Sequence, residues 1–220
     1  MDSAASKERG RRSSRLGSGG SDAGGSGVKR GWGAFKDAKA RASRYNSKDE
    51  FKIKELNERY HGKFLEDGPF AVYTQHFYKG RPDKQAFVCC EDCPVCGIGE
   101  VPTAYAVFNV LDLSGAEPAV KYWRCTPGPA GQIEEFEEDG PIDAADRYFV
   151  AFKKESKSGF NEFTVKEVLD TKLKEKAGVD PFTEEELAEY RTQCFSEDDV
   201  VKSSTRAELR ALAMELQDED

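Results

Sequence analysis

Histidine is nearly missing from this chain: His61 and His76 are the only two in 220 residues. No serine, cysteine or carboxylate falls in a nucleophile or two-metal pattern, and no His-x-Glu motif of the deaminase kind occurs, so the sequence argues against an enzyme. No apolar run approaches the roughly 18 to 20 residues of a membrane-spanning helix, and the N-terminus has no apolar core of a secretory signal. A soluble, cytoplasmic protein is expected. No phosphate-binding or dinucleotide-binding glycine motif is found, and there is no internal repeat. Apolar residues are scarce at 38% while 34% are charged, so part of the chain should stay outside any packed core.

What is present is distributed unevenly. Residues 1–48 hold twelve Lys or Arg against four Asp or Glu; residues 49–179 hold seventeen against twenty-four, and residues 180–220 four against thirteen. A basic arm, a mildly acidic core and an acidic C-terminal region are the expected domains. The first 27 residues contain seven Gly and seven Ser and should be disordered. Trp32, Phe35 and Tyr45 then alternate with Lys29, Arg30, Lys36, Lys39, Arg41 and Arg44, a pattern suited to nucleic-acid contact or self-association.

Four of the six cysteines, Cys89, Cys90, Cys93 and Cys96, lie within eight positions. Thiolates are soft, charged donors, and the Cys93-Pro-Val-Cys96 knuckle offers two of them to a tetrahedral zinc ion at low loop-closure cost. A disulfide cluster is the competing reading, disfavoured by the expected reducing compartment. Two ligand sets fit the spacing: His76 with Cys89, Cys93 and Cys96, or the four cysteines, with Cys90 taking the place of His76. Either set is closed, which points to a structural ion and not a catalytic one. Cys125 and Cys194 stand alone and read as ordinary thiols.

Around the knuckle the chain alternates like a β-protein. Phe51 to Leu56 suggests a first strand, and Phe70 to Tyr78 a second, with Val72, Thr74, His76 and Tyr78 opposite Ala71, Tyr73, Gln75 and Phe77. Further strands are expected over 85–88, 103–111, 118–125, 147–153 and 160–168. Pro127-Gly128-Pro129 reads as a breaker before a short acidic helix over 132–138. Thr183 with Glu186 forms a capping box for a helix through Arg191, and a last helix is expected over 205–216 with Leu209, Leu212, Ala213 and Leu216 on one face. The fold class is mainly β with a few helices: a small barrel or partly open sheet carrying an inserted zinc knuckle.

Rings beside cations recur on three of these strands. Tyr73 and Phe77 precede Lys79, Arg81 and Lys84; Tyr122 and Trp123 neighbour Lys121 and Arg124; Tyr148 and Phe152 precede Lys153, Lys154 and Lys157. Stacking platforms next to phosphate-neutralising charges are what a single-stranded nucleic-acid surface needs. The acidic C-terminal region can occupy such a surface or present its carboxylates to partner proteins. The alternative is a zinc-knuckle adaptor that binds protein and no nucleic acid.

The succession Phe70-Ala-Val-Tyr-Thr-Gln-His76, Phe87-Val-Cys89, Cys93-Pro-Val-Cys96 and Ala106-Val-Phe-Asn-Val-Leu-Asp112 resembles the single-stranded DNA-binding proteins of tailed bacteriophages, particularly those of actinobacterial phages. The wider group includes the helix-destabilising proteins of the T-even phages, and the likeness spans roughly residues 30 to 195. It implies an OB-fold core with a structural zinc on His76, Cys89, Cys93 and Cys96, and a basic arm for cooperative binding. It also implies an acidic C-terminus that recruits replication proteins. On this reading the chain coats single-stranded DNA during phage replication, recombination or repair, without strong sequence preference.

Overall fold

The computed structural model describes residues 48–82, 84–156 and 161–218. Nearly all of the expected basic arm, together with Lys157, Glu219 and Asp220, lies outside the described residues.

Seven strands form one antiparallel sheet: β1 (Tyr60–Phe64), β2 (Ala71–Phe77), β3 (Ala86–Val88), β4 (Thr103–Asp112), β5 (Ala119–Cys125), β6 (Arg147–Glu155) and β7 (Asn161–Leu169). The ten-residue β4 is its spine. One edge pairs first with β2, Tyr73 opposite Tyr105, and then with β1, Gly62 opposite Asp112. Its other edge carries β5, with Phe108 opposite Trp123. From β1 the sheet continues through β6 to β7, and from β2 to β3.

Both faces of β6 are apolar because both are covered. Phe149 and Ala151 enter a core with Phe64, Phe108 and Trp123, where the Phe64 and Phe149 ring centroids are 4.7 Å apart. Tyr148, Val150 and Phe152 point the other way, onto Leu173 and Leu187. Those leucines belong to α3 (Asp170–Ala177) and α4 (Glu184–Arg191); α1 (Pro94–Gly97) and α2 (Pro127–Glu137) come earlier in the chain, and α5 (Glu197–Val200) and α6 (Arg206–Asp218) close it.

Three readings are corrected. Residues 51–56 form no strand: they run as an extended strap with isolated bridges, Glu50 to Tyr122 on β5 and Leu56 to Lys153 on β6. The strand here is β1, hidden in the sequence by Gly62 and Lys63. Glycine is required at 62, since a Cβ there would lie 2.5 Å from the Phe149 ring. Helix α2 begins at Pro127, where the sequence suggested a break, because proline at the first helical position loses no needed N–H. Helix α3 was not foreseen; Leu173 is its one buried residue, with Ala177 packed half-buried against the same core. The capping box at Thr183 and Glu186 forms as read.

The sheet is open among the described residues, with no ladder joining β5 to β6 or β7. The strap crosses that gap, bonded to Tyr122 by Phe51 N–H and to Lys153 by Asn57 N–H, and it sinks the Phe51 ring among Tyr60, Trp123 and Phe149.

Candidate metal centre and the adjoining sheet face

Strand β2 delivers His76 to the face it shares with Phe87 of β3. The chain then leaves β3, Cys89 N–H bonding to Thr74 O at 2.8 Å, and turns through Asp92, a left-handed residue, into α1. This one-turn helix sets Cys93 at its N-cap and Cys96 inside it. The imidazole Nε2 lies 3.5 Å from Cys93 Sγ and 3.4 Å from Cys96 Sγ, and the Cys89 and Cys96 sulfurs are 3.5 Å apart. All four donors fall within 4.8 Å of one another. A tetrahedral ion with bonds of about 2.0 to 2.3 Å needs ligand edges of roughly 3.5 to 3.8 Å, which the three distances between His76, Cys89, Cys93 and Cys96 just given already approach. His76, Cys89, Cys93 and Cys96 could therefore hold a metal ion. Cys90 is exposed and lies outside this group.

The electrostatics also fit a cation. Burial lowers the His76 pKa, leaving the neutral imidazole that ligates. Burial opposes ionisation of Cys93, but the backbone N–H groups of Cys96 and Val95 overcome it and hold this thiol below its ordinary range. Cys96 is pushed up to about 12, by burial and then by the Cys89 and Cys93 sulfurs. Three thiolates this close repel one another, and a positive ion among them removes the conflict. Cys125 is buried in the core, its thiol pushed up by desolvation, and Cys194 is half-buried with its thiol raised to about 11 by burial.

The opposite face of β2 carries Tyr73, Gln75 and Phe77. Tyr73 stacks on Tyr105 across the β2–β4 ladder, ring centroids 5.5 Å apart and planes 24° apart, and Phe77 is 58% exposed. Arg124 of β5 hydrogen-bonds the Tyr73 hydroxyl. A groove of about 410 Å³ runs over this face, lined by Tyr73, Gln75, Lys84, Arg124, Val200 and Lys202. Tyr105, Gln75 and Lys202 were not singled out in the sequence. The alternation of β4 put Tyr105 opposite Ala104 and Ala106, but only the register with β2 shows that it meets Tyr73.

The other ring candidates are core residues. Tyr122, Trp123, Tyr148 and Phe152 are all buried and present no face to a base. Trp123 stacks on Phe149, Tyr122 meets Phe195 edge-on, and the Tyr148 hydroxyl accepts from Phe182 N–H. Among the described residues, four of the seven candidate cations have acidic partners: Arg81 with Glu215, Lys84 with Glu208, Lys121 with Asp112 and Arg124 with Glu50. Lys153 Nζ donates to Lys54 O, Lys154 lies over Phe152, and Lys79 is exposed.

Compared with known proteins, the chain matches no family model, no curated protein and no solved structure. No helix among the described residues is long and apolar enough to cross a membrane.

Proposed function

We propose that the chain is a non-enzymatic, zinc-stabilised protein that binds single-stranded DNA without strong sequence preference. The observation that carries this reading is the Tyr73–Tyr105 pair, lying on the sheet face that also bears exposed Phe77 and Arg124. Rings at positions 73 and 77 of one strand stand about 13 Å apart, a span that two or three unstacked nucleotides can cover. Zinc suits a donor set of three thiolates and one imidazole, and four protein ligands leave no open position for catalysis. The zinc would pin β2 and β3 to the knuckle and so keep the tyrosine face rigid. In the same reading the strap over residues 49–57 closes an OB-type barrel, and the acidic C-terminal region recruits replication proteins. The likeness of the His-Cys succession to phage single-stranded DNA-binding proteins points the same way.

The test is fluorescence polarisation with a labelled random single strand and its duplex at several salt concentrations. The single strand should bind more tightly than the duplex, and log affinity should fall linearly with log salt. Tyr73→Ala with Tyr105→Ala should weaken binding at least tenfold, since a stacked base is worth about 1 to 3 kcal/mol per ring.

The pairing of Arg81, Lys84 and Arg124 with carboxylates favours a second reading, a zinc-knuckle adaptor for protein partners. A groove on the other side of β4, floored by Val72, Ala104 and Phe108 and rimmed by Glu134 and Glu137, gives such a partner an apolar seat. No single-strand binding at the lowest salt would leave this reading standing.

A further inference from the structure

Helix α6 rests on the candidate metal centre. Its sequence places Leu209, Leu212 and Ala213 on one stripe, and all three are buried. The stripe packs against Phe87 of β3, Cys93 at the start of the knuckle and Val95 inside it, with Tyr78, Cys89, Ile98 and Leu216 around the rim. Two carboxylates of the same helix reach the turn between β2 and β3: Glu215 takes a two-point bond from Arg81, and Glu208 pairs with Lys84 at 2.8 Å. Glu208 also caps its own helix, its carboxylate accepting from Thr205 N–H while Thr205 Oγ1 accepts from Glu208 N–H. The seat of α6 is therefore the β2–β3 hairpin and the knuckle, the elements that supply all four candidate ligands.

That seat cannot be expected to hold its shape by itself. Helix α1 is four residues long, ends on the exposed Gly97 and is followed two residues later by the exposed Gly99, whose φ is +97°. A single turn costs more to nucleate than its hydrogen bonds return, and a 13-residue helix is itself marginal in water without a surface to pack on. Cys93 and Val95 are joined covalently to the ligand set, so whatever positions Cys93 and Cys96 also positions the surface that buries Leu209 and Leu212.

We infer that the metal centre is a latch for α6: an ion on His76, Cys89, Cys93 and Cys96 seats the helix, and loss of the ion releases it and withdraws Glu215 and Glu208 from Arg81 and Lys84. The inference rests on the quartet being a metal site. It goes further in making the ion control one element at the edge of the sheet, where a purely structural ion would hold the fold as a whole. Coupling of this kind is reciprocal, so α6 must in turn tighten the grip on the ion.

The experiment is hydrogen exchange read by mass spectrometry on the full chain, zinc-loaded and after chelation, with zinc measured colorimetrically in the same samples. On zinc removal, peptides covering Thr205–Asp218 should exchange at least tenfold faster, while peptides covering β6 and β7 keep their protection. Unchanged α6 protection in protein shown to be zinc-free overturns the latch and leaves the metal site intact. Simultaneous loss of protection in α6, β6 and β7 overturns it as well, since the ion would then support the whole fold. Protein that takes up no zinc at all removes the metal reading and the latch with it. As a second measurement, Leu212→Asp should weaken zinc affinity at least tenfold in competition with a chromophoric chelator, and an unchanged affinity overturns the proposal.

Discussion

A single buried lysine shows how far a residue can depart from its usual place. Lys63 is fully buried in β1, its ammonium donating to Ala144 O at 2.6 Å and Arg147 O at 3.0 Å, and lying 4.8 Å from the Tyr148 ring centre. Burial lowers its pKa from 10.5 to about 8, only partly offset by Asp143. Between those two values the unfolded chain binds the proton that the folded chain has lost, so stability rises with pH across that window. Below about pH 8 both states are protonated and the cost of burying the charge is present in full. Urea unfolding from pH 7 to 10 should therefore show the parent gaining roughly 1 to 3 kcal/mol relative to Lys63→Met, with most of the gain above pH 8. The neutral amine keeps two N–H donors for the same two carbonyls, so the contacts themselves survive the change.

Among the elements, the knuckle was the most legible in the sequence, because four donors brought within a few ångströms by a hairpin and one helical turn are a matter of local spacing. Whether Cys90 belongs to the set was not legible. It depends on which side of β3 each thiol leaves, and the bond from Cys89 N–H to Thr74 O settles that by turning Cys89 inward. Cys93→Ser and Cys96→Ser should each lose zinc and lower the melting temperature, whereas Cys90→Ser and Cys194→Ser should keep zinc; metal analysis of the four purified variants checks this. The helix over Glu184–Arg191 was equally plain, since Thr183 and Glu186 form their reciprocal bonds within four residues of each other.

For the whole molecule, the decisive feature is how an open sheet covers its gap. The strap between β5 and β6 makes only a few backbone bonds, yet it carries Phe51, 2% exposed and in edge contact with Trp123 at 5.1 Å and Phe149 at 5.8 Å. Phe51→Ala should cost about 3 to 5 kcal/mol in urea unfolding, the loss expected of a fully packed ring. A loss under about 1 kcal/mol would mean that the strap lies on the sheet without closing it. At the same scale the sheet sorts its aromatics: Phe51, Phe64, Trp123 and Phe149 fill the interior, while Tyr73, Tyr105 and Phe77 remain at a surface.

The sequence alone determined the β-rich alternation, the capped helix, the apolar stripe of the C-terminal helix and the thiol-rich knuckle. Each of these depends on residues within one strand pair or one helical turn. Only the tertiary structure decided which rings are core, because alternation assigns a side chain to a face without saying what covers that face. It also decided that Arg81 and Lys84 answer to Glu215 and Glu208, more than a hundred residues away along the chain. Long-range charge pairing and face covering depend on how separate elements pack together, and no local periodicity carries that information.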